Sequence, residues 1–322
     1  MFIHKTQGNS TAELQRLGLL NLAVSFFVTT VPCCVFLFIN LITLFTLRSK
    51  EVFRATSRYL LLFNLLLADT LQMVLSQSMF LLSLGRVTLA YPVCAILSAV
   101  YFLSHRISPL TLVVMCLERY IAVCYPLRHS VVITTRNTTR IICVVWTFTS
   151  LNVMVQIIIM FKFSVEDLQN TQMTDFCGKE SIFSDPVSDL YDRASTYFLF
   201  VLGGVAVVFT YTGVIIAARS ASADKTSARK ARRTLLLHLL QMGLTVSSTV
   251  HSSLVMVISK NLDRVVAVQL QIFLYVSLTI LPKCLNCLIY ALRDQTIRPI
   301  LMLNLSCQWR GSGLLFLREN GT

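Results

Sequence analysis

Seven long runs of apolar residues constrain this chain more than any other feature of its sequence. They cover residues 17–47, 59–85, 93–124, 141–161, 194–218, 234–259 and 265–292. A helix of about 20 apolar residues crosses the roughly 30 Å hydrocarbon core of a bilayer, and every run reaches that length. Only 13% of the residues are charged, against about 25% in soluble proteins. The sequence therefore predicts an all-α membrane protein, a bundle of seven transmembrane helices in residues 17–292.

The charges between the runs predict how the bundle is oriented. The connections after the first, third and fifth runs are basic, whereas the connection 162–193 carries seven acidic and three basic residues. Short connections rich in lysine and arginine stay on the cytoplasmic side of a membrane. Residues 1–16 are then the extracellular N-terminus of a multi-pass protein of the plasma membrane. The same rule explains the net charge of +13 without nucleic acid as a partner.

The two ends of the chain carry candidate sites of modification and of contact with membrane lipids. Asn9 opens an Asn-Ser-Thr sequence, the acceptor for N-glycosylation on the outer side. Residues 293–322 are predicted to be cytoplasmic, and 293–305 alternate basic and apolar residues, as a short amphipathic helix on the inner leaflet does. Cys307 follows this helix and is either a palmitoylation site or a free thiol. The basic connection 219–233 suits anionic lipid head groups.

Short motifs at the inner ends of the runs narrow the class of protein. The third run ends in Glu118-Arg119-Tyr120 and continues as Ala122-Val123-Cys124-Tyr125-Pro126-Leu127-Arg128-His129, and the seventh holds Asn286-Cys287-Leu288-Ile289-Tyr290. With seven predicted helices, these motifs resemble the rhodopsin class (class A) of G-protein-coupled receptors, although Cys287 stands where that class usually has proline. The third-run motif and the spacing of Lys230, Thr234 and His238 are similar to the odorant receptors. Segments 44–50 and 292–299 are similar to their teleost branch.

The resemblance implies a function and a set of functional residues. It implies a receptor, not an enzyme and without a cofactor, that binds a small-molecule odorant and activates a heterotrimeric G protein of the stimulatory type, in the cilia of sensory neurons. It also implies a disulfide between Cys94 and Cys177 on the outer side. Glu118 is expected to hold Arg119 in the resting receptor and to release it toward the G protein on activation. Further switch roles are implied for Tyr120, Tyr211, Asn286 and Tyr290.

Asp69 and Lys283 are ionisable residues within the second and the seventh run. Such residues cost roughly 2.5 to 3.5 kcal/mol each on insertion scales and face a partner or water. In the receptor class, the position matching Asp69 binds a sodium ion, with positions that match Ser108, Asn286 and a small residue at 283. Lysine at 283 predicts an ion pair with Asp69 in place of sodium, so no metal ion is expected. The alternative is that Lys283 points elsewhere.

His105 and Arg106 lie about four turns above Arg119 on the third predicted helix. Ligands of this receptor class commonly bind at that depth, so both residues are candidates for contact with an anionic or hydrogen-bonding ligand. Adjacent helical residues point about 100° apart, so they do not line the same wall of a pocket. The alternative is that His105 packs in the core and that Arg106 bonds to the fourth or the fifth helix.

Two other functions stay open at this point. One is a receptor of the same class for an internal signal, such as a lipid or a small metabolite. The other is a multi-pass transporter, in which Asp69, Arg106 and Lys283 would relay charge. The odd number of runs and the lack of an internal repeat argue against a transporter. We find no nucleophile and base pattern, metal cluster or phosphate-binding loop that would indicate an enzyme.

Overall fold

The computed structural model describes residues 3–163, 186–220 and 264–293, together with Cys177, four positions between 236 and 244, and residues 297–299. The elements in these parts of the chain are helices. They are α1 (Ile3–Ser49), α2 (Glu51–Arg54), α3 (Ser57–Leu84), α4 (Tyr91–Cys124), α5 (Pro126–Val132), α6 (Thr135–Phe163), α7 (Pro186–Ser220), α8 (Arg264–Tyr275) and α9 (Leu281–Arg293). A π-helical segment, Val276–Ile280, joins α8 to α9.

Within the described residues, six helical segments are long and apolar enough to cross a membrane. They are Asn21–Ser49, Ser57–Leu84, Tyr91–Cys124, Thr135–Ile159, Pro186–Ala217 and Gln269–Ile289. These segments correspond to the first five predicted spans and to the seventh, which confirms the all-helical membrane class. The predicted sixth span, 234–259, lies outside the described residues except for four positions.

Three stretches differ from the boundaries predicted from sequence. Helix α1 begins at Ile3, whereas the first apolar run begins at residue 17. The connection 125–140 contains the short helix α5 and the first turns of α6. The fifth spanning helix begins at Pro186 instead of residue 194, so Asp192 lies on α7 and not in the acidic connection. Proline is favoured at the start of a helix, and Asp189 in the first turn complements the positive end of the helix dipole.

Helix α4 lies at the centre of the described bundle and packs against α3, α6 and α7. A chain of hydrogen bonds joins three of these helices. Trp146 Nε1 of α6 donates to Asn64 Oδ1 of α3 at 2.8 Å, and Asn64 Nδ2 donates to Thr111 Oγ1 of α4 at 2.9 Å. Polar side chains within a membrane bundle bond across helices in this way because lipid tails offer no partner.

We call the end of the bundle that carries Glu118 and Arg119 the inner end, and the end that carries Cys94 and Cys177 the outer end. The half of the bundle toward the inner end is filled by an apolar cluster. Leu65 and Leu66 of α3 and Leu112 of α4 form its fully buried centre. Ile297 belongs to the same cluster and is fully buried, so the chain beyond α9 returns to the core. Most of the predicted amphipathic helix 293–305 lies outside the described residues.

A disulfide between Cys94 and Cys177 ties the outer end of α4 to the connection before α7. The two Cα atoms are 5.7 Å apart, and 83 residues separate the cysteines along the chain. Both cysteines are buried in an outer cluster with Phe102 and Val153. A bridge across a loop of this length restricts the unfolded chain and stabilises the fold by about 4 to 5 kcal/mol in the chain-entropy model.

The variant Cys177→Ser is expected to unfold at a markedly lower temperature than the native receptor, because the outer end of α4 loses its covalent tie. The measurement is thermal unfolding of the detergent-purified protein. Cys34→Ser is the matched control, since Cys34 is an exposed free cysteine of α1. Equal unfolding temperatures for the two variants would contradict a stabilising role for the disulfide.

Candidate functional site

The structure brings Asp69, Lys283 and Ser108 together at the middle of the bundle. Lys283 Nζ of α9 lies 2.6 Å from Asp69 Oδ1 of α3, and Ser108 Oγ of α4 donates to the same oxygen at 2.8 Å. All three residues are buried. Charge-assisted hydrogen bonds of this kind are about twice as strong as those between neutral groups. The central pair, Asp69 and Lys283, therefore joins α3 and α9, and Ser108 adds α4.

The π-helical segment before α9 affects the direction in which Lys283 points. A π turn holds one residue more than an α turn, so every later side chain is rotated by about 100° relative to a regular helix. Pro282 lies two residues after the end of this segment, and in a regular helix a proline ring clashes with the carbonyl group four residues earlier. The wider turn relieves this clash. Pro282 is thus the sequence signal for an irregularity that hydropathy alone did not reveal.

One turn further out, His105 lies in a cluster of polar and aromatic side chains. Its Nδ1 is 2.9 Å from Gln72 Nε2 of α3, and the ring of Tyr101 stacks on the imidazole with centroids 6.0 Å apart. Near this layer, Tyr275 of α8 donates from its hydroxyl to Ser76 Oγ of α3 at 3.0 Å. His105 therefore faces α3, the second spanning helix, and not α7, the fifth spanning helix.

Arg106 points the other way, toward α6 and α7. Its Nη2 donates to Asp192 Oδ1 at 2.9 Å, to Gln156 Oε1 at 2.9 Å and to Ser195 Oγ at 3.2 Å, and its Nη1 donates to Asn152 Oδ1. We call these five residues the Arg106 cluster. Arg106 and Asp192 each keep only 4% of their surface exposed.

The Arg106 cluster satisfies a buried charge from within the protein. Gln156 Nε2 donates to the same Asp192 oxygen at 3.1 Å, so Arg106 and Gln156 share this acceptor. These bonds join Arg106 to α6 and α7, the fourth and fifth spanning helices. Such bonding is the alternative that the sequence left open for Arg106. Sequence reasoning did not find Asp192, because its place among the acids of a connection hid its position on α7.

At the inner end of α4, Glu118 lies close to a guanidinium and to an imidazole. Arg119 Nε lies 2.7 Å from Glu118 Oε2, and His129 Nε2 of α5 lies 3.6 Å from Glu118 Oε1. Glu118 is buried, whereas Arg119 is partly exposed. The short helix α5 thus reaches back to the inner pair, Glu118 and Arg119. The sequence motif contained His129, but its local pattern gave no sign of this contact.

Tyr120 packs against α7 beside the inner pair. Its ring lies 5.6 Å from the ring of Phe209, and a Cβ atom placed on Gly213 would come within 2.4 Å of Tyr120 Cε2. Only glycine at 213 admits the ring in this position. Tyr211 is half-buried on α7. The side chains of Asn9, Asn286, Tyr290 and Cys307 lie outside the described residues.

The sequence matches the family model for 7 transmembrane receptors (rhodopsin family) over residues 39–290. Odorant receptor 131-2 of Danio rerio is 30% identical over 262 residues, which cover 81% of this chain and 79% of that protein. Olfactory receptor-like protein I9 of Rattus norvegicus is 26% identical over 255 residues, which cover 76% of this chain and 78% of that protein. The chain belongs to the rhodopsin family of seven-transmembrane receptors. Its relatives place it among the odorant receptors, which are receptors and not enzymes.

In this rhodopsin-family receptor, Cys287 occupies the position where the class usually has proline. Its Sγ lies 3.7 Å from Thr43 Oγ1 of α1, and the residue is buried in the inner apolar cluster. Cysteine behaves here as a small packing residue. The contact brings α1 close to α9 at the depth where a proline would have changed the path of the helix.

Lys283→Met is expected to make this receptor sensitive to sodium. Removal of the ammonium leaves Asp69 buried without a cation, and a bound sodium ion would stabilise the folded state in proportion to its occupancy. The measurement is the thermal unfolding of purified receptor in sodium chloride against choline chloride. The native receptor and Asp69→Asn/Lys283→Met serve as controls and are expected to show no difference between the salts. A sodium effect in the native receptor, or none in Lys283→Met, would contradict the prediction.

His129→Phe is expected to raise signalling without a ligand, because the ring is kept while the contact with Glu118 is lost. His129 is partly exposed, so the contact contributes about 1 kcal/mol or less, and basal activity rises by up to about fivefold. The measurement is basal cyclic AMP at equal surface expression, with Arg128→Ala, an exposed neighbour on α5, as the control. Equal basal levels in His129→Phe and native receptor would show that α5 does not restrain Glu118.

Proposed function

We propose that this odorant receptor binds a small molecule from the outer side of the plasma membrane and activates a stimulatory heterotrimeric G protein on the inner side. Residues 1–16 are then extracellular and 293–322 cytoplasmic, and the cell type is a ciliated sensory neuron. Support comes chiefly from the inner end of α4, where buried Glu118 holds the partly exposed Arg119. A guanidinium held so close to the membrane surface is available to a protein partner once the carboxylate releases it.

The proposed mechanism is a shift between two arrangements of the helices. A ligand favours signalling only by the difference between its affinities for the active and the resting arrangement. A change from 1:99 to 99:1 would require a preference of about 10⁴-fold. In the resting arrangement, Glu118 holds Arg119 and His129 adds α5 to the contact. Activation separates these groups and exposes Arg119 to the G protein.

Helix α4 is proposed to carry the change from the outer to the inner side. Arg106 fixes its outer half to α6 and α7, Ser108 fixes its middle to the central pair, and Tyr120 rests on α7 beside the inner pair. The residues Arg106 and Arg119 are about 20 Å apart along the helix axis. A small movement of α7 at the Arg106 cluster therefore reaches Tyr120 through the same two helices.

Tyr211, Asn286 and Tyr290 are proposed to support the active arrangement. Tyr211 lies on α7, and the backbone of Asn286 and Tyr290 lies in α9. The central pair is proposed to act as a second restraint, because Lys283 provides a protein cation where this class of receptor binds sodium. Asn9 and Cys307 are proposed as sites of glycosylation and palmitoylation, respectively.

Arg119→Ala is expected to abolish the cyclic AMP response to an agonist while the receptor still reaches the cell surface. The experiment first screens the native receptor in cultured cells against a panel of odorants, amines, acids and lipids, with cyclic AMP as the readout. Arg140→Ala is the matched control, since Arg140 is exposed at the inner end of α6. Binding of an antibody to an N-terminal tag on intact cells reports both surface delivery and orientation.

A full agonist response from Arg119→Ala would contradict the proposed coupling. A response to internal lipids alone would instead favour a receptor for an internal signal.

A further inference from the structure

The ring of Tyr120 lies against α7 at a place that depends on the absence of a side chain at residue 213. Phe209, whose ring is 5.6 Å from that of Tyr120, lies one turn before Gly213 on the same face of the helix. A Cβ atom at 213 would overlap Cε2 of Tyr120 and would lie 3.1 Å from Cδ2 and 3.4 Å from Cζ. We call the surface formed by Phe209 and Gly213 the α7 notch.

Helix α7 is held in place on both sides of the α7 notch. Thr210 and Val214 flank Gly213 along the helix and are 0% and 1% exposed, and Val207, one turn earlier, is also buried. Close-packed interiors resist the displacement of such residues. A side chain added at 213 would therefore displace the ring of Tyr120 and not the backbone of α7.

The far side of the Tyr120 ring supports the residue from which α5 begins. The ring of Tyr125 meets it edge to face, with centroids 5.9 Å apart. Tyr125 directly precedes α5, and its backbone carbonyl accepts hydrogen bonds from the N–H groups of Arg128 and His129, each at 3.0 Å. A displaced Tyr120 ring would thus withdraw support from the residue that closes the first turn of α5.

Helix α5 has little packing of its own to replace this support. Its residues Leu127 and Val131 are 92% and 72% exposed. The far end of the helix is tied to α3, because Ser57 Oγ donates to the carbonyl group of Ile133 at 3.4 Å. The near end depends on Tyr125. Short exposed helices with few buried contacts are the parts of a protein that open most easily.

The contacts from the α7 notch return to the inner pair. His129 lies on the first turn of α5, and its Nε2 is 3.6 Å from Oε1 of Glu118. Glu118 precedes Tyr120 by two residues on α4. The path therefore runs from α7 through Tyr120 and Tyr125 to α5, and from α5 back to the carboxylate that holds the guanidinium of Arg119.

We propose that Gly213 is a positioning residue for the inner pair, a role that rests on the proposed restraint of Arg119 by Glu118. Its bare backbone admits the ring of Tyr120, the ring supports α5, and α5 keeps His129 beside Glu118. The inner end of α7 therefore sets how firmly the resting receptor holds Arg119.

The same helix offers a matched control for Gly213→Ala. Gly204 also lies within α7, and a Cβ atom placed there would meet no heavy atom within 4 Å. Alanine favours the helix at both positions, but only at 213 does it overlap a neighbour. Tyr120→Leu removes the ring without adding an atom to α7, and it serves as the second variant if Gly213→Ala does not fold.

Hydrogen–deuterium exchange of the purified full-length receptor, read by mass spectrometry, tests the position of α5 without any signalling. The N–H groups of residues 128–129 are expected to exchange at least about threefold faster in Gly213→Ala and in Tyr120→Leu than in the native receptor or Gly204→Ala. The N–H groups of residues 85–87, which are hydrogen-bonded at the outer end of α3, provide the reference and are expected to stay unchanged. The double variant Tyr120→Leu/Gly213→Ala is expected to exchange no faster than the faster single variant.

Basal cyclic AMP at equal surface expression tests the effect on the inner pair. Gly213→Ala is expected to raise it at least about twofold and, because the change acts through the His129 contact, by no more than about fivefold. Gly204→Ala is expected to keep the native level. Addition of His129→Phe to Gly213→Ala is expected to give no further increase, since both changes remove the same restraint.

Native exchange at residues 128–129 in both Gly213→Ala and Tyr120→Leu would overturn the proposal, as would an equal rise at residues 85–87. Faster exchange with native basal cyclic AMP, in cells where the native receptor responds to an agonist, would also overturn it. Faster exchange in a receptor of which no variant produces cyclic AMP would support the positioning role of Gly213. That result would instead contradict the stimulatory G protein of the proposed function.

Discussion

The hydrocarbon core of a membrane offers no partner to a charge, so every ionisable group inside this bundle depends on the protein for its counter-charge. Asp69 meets Lys283, and Arg106 meets Asp192, with all four side chains buried. Removal of one partner from such a pair leaves an uncompensated charge and costs about 3 to 5 kcal/mol. The positions of α3, α4, α7 and α9 relative to one another therefore depend on these two pairs.

Helix α4 contacts both pairs, because it carries Arg106 and because Ser108 donates a hydrogen bond to Asp69. The same helix carries the inner pair near its end. Arg106, Ser108 and Glu118 lie within about 18 Å along one helix and contact different neighbours. The helix is thus fixed at the outer side, in the middle and at the inner side by polar contacts. Between these contacts, apolar residues of α4 and α7 face each other.

The sequence was sufficient for the features that depend on local composition. Apolar runs of about 20 residues predicted the membrane helices, and Asp69 and Lys283 stood out because charge inside a span is rare. Features that depend on distant residues were not visible. Asp192 looked like one more acid of a polar connection until Arg106, 86 residues earlier in the chain, was found beside it. The contact of His129 with Glu118 and the packing of Tyr120 on Gly213 likewise follow from how helices pack, which no local pattern reports.

The most direct measurement for the role of buried charge is a double-mutant cycle on Arg106 and Asp192. Thermal unfolding of the purified receptor would be compared for the native protein, Arg106→Met, Asp192→Leu and the double variant. Each single change is expected to destabilise the receptor strongly, and the double variant by clearly less than their sum, with a difference of about 2 kcal/mol or more. Additive losses would contradict the account, because the two charges would then not depend on each other.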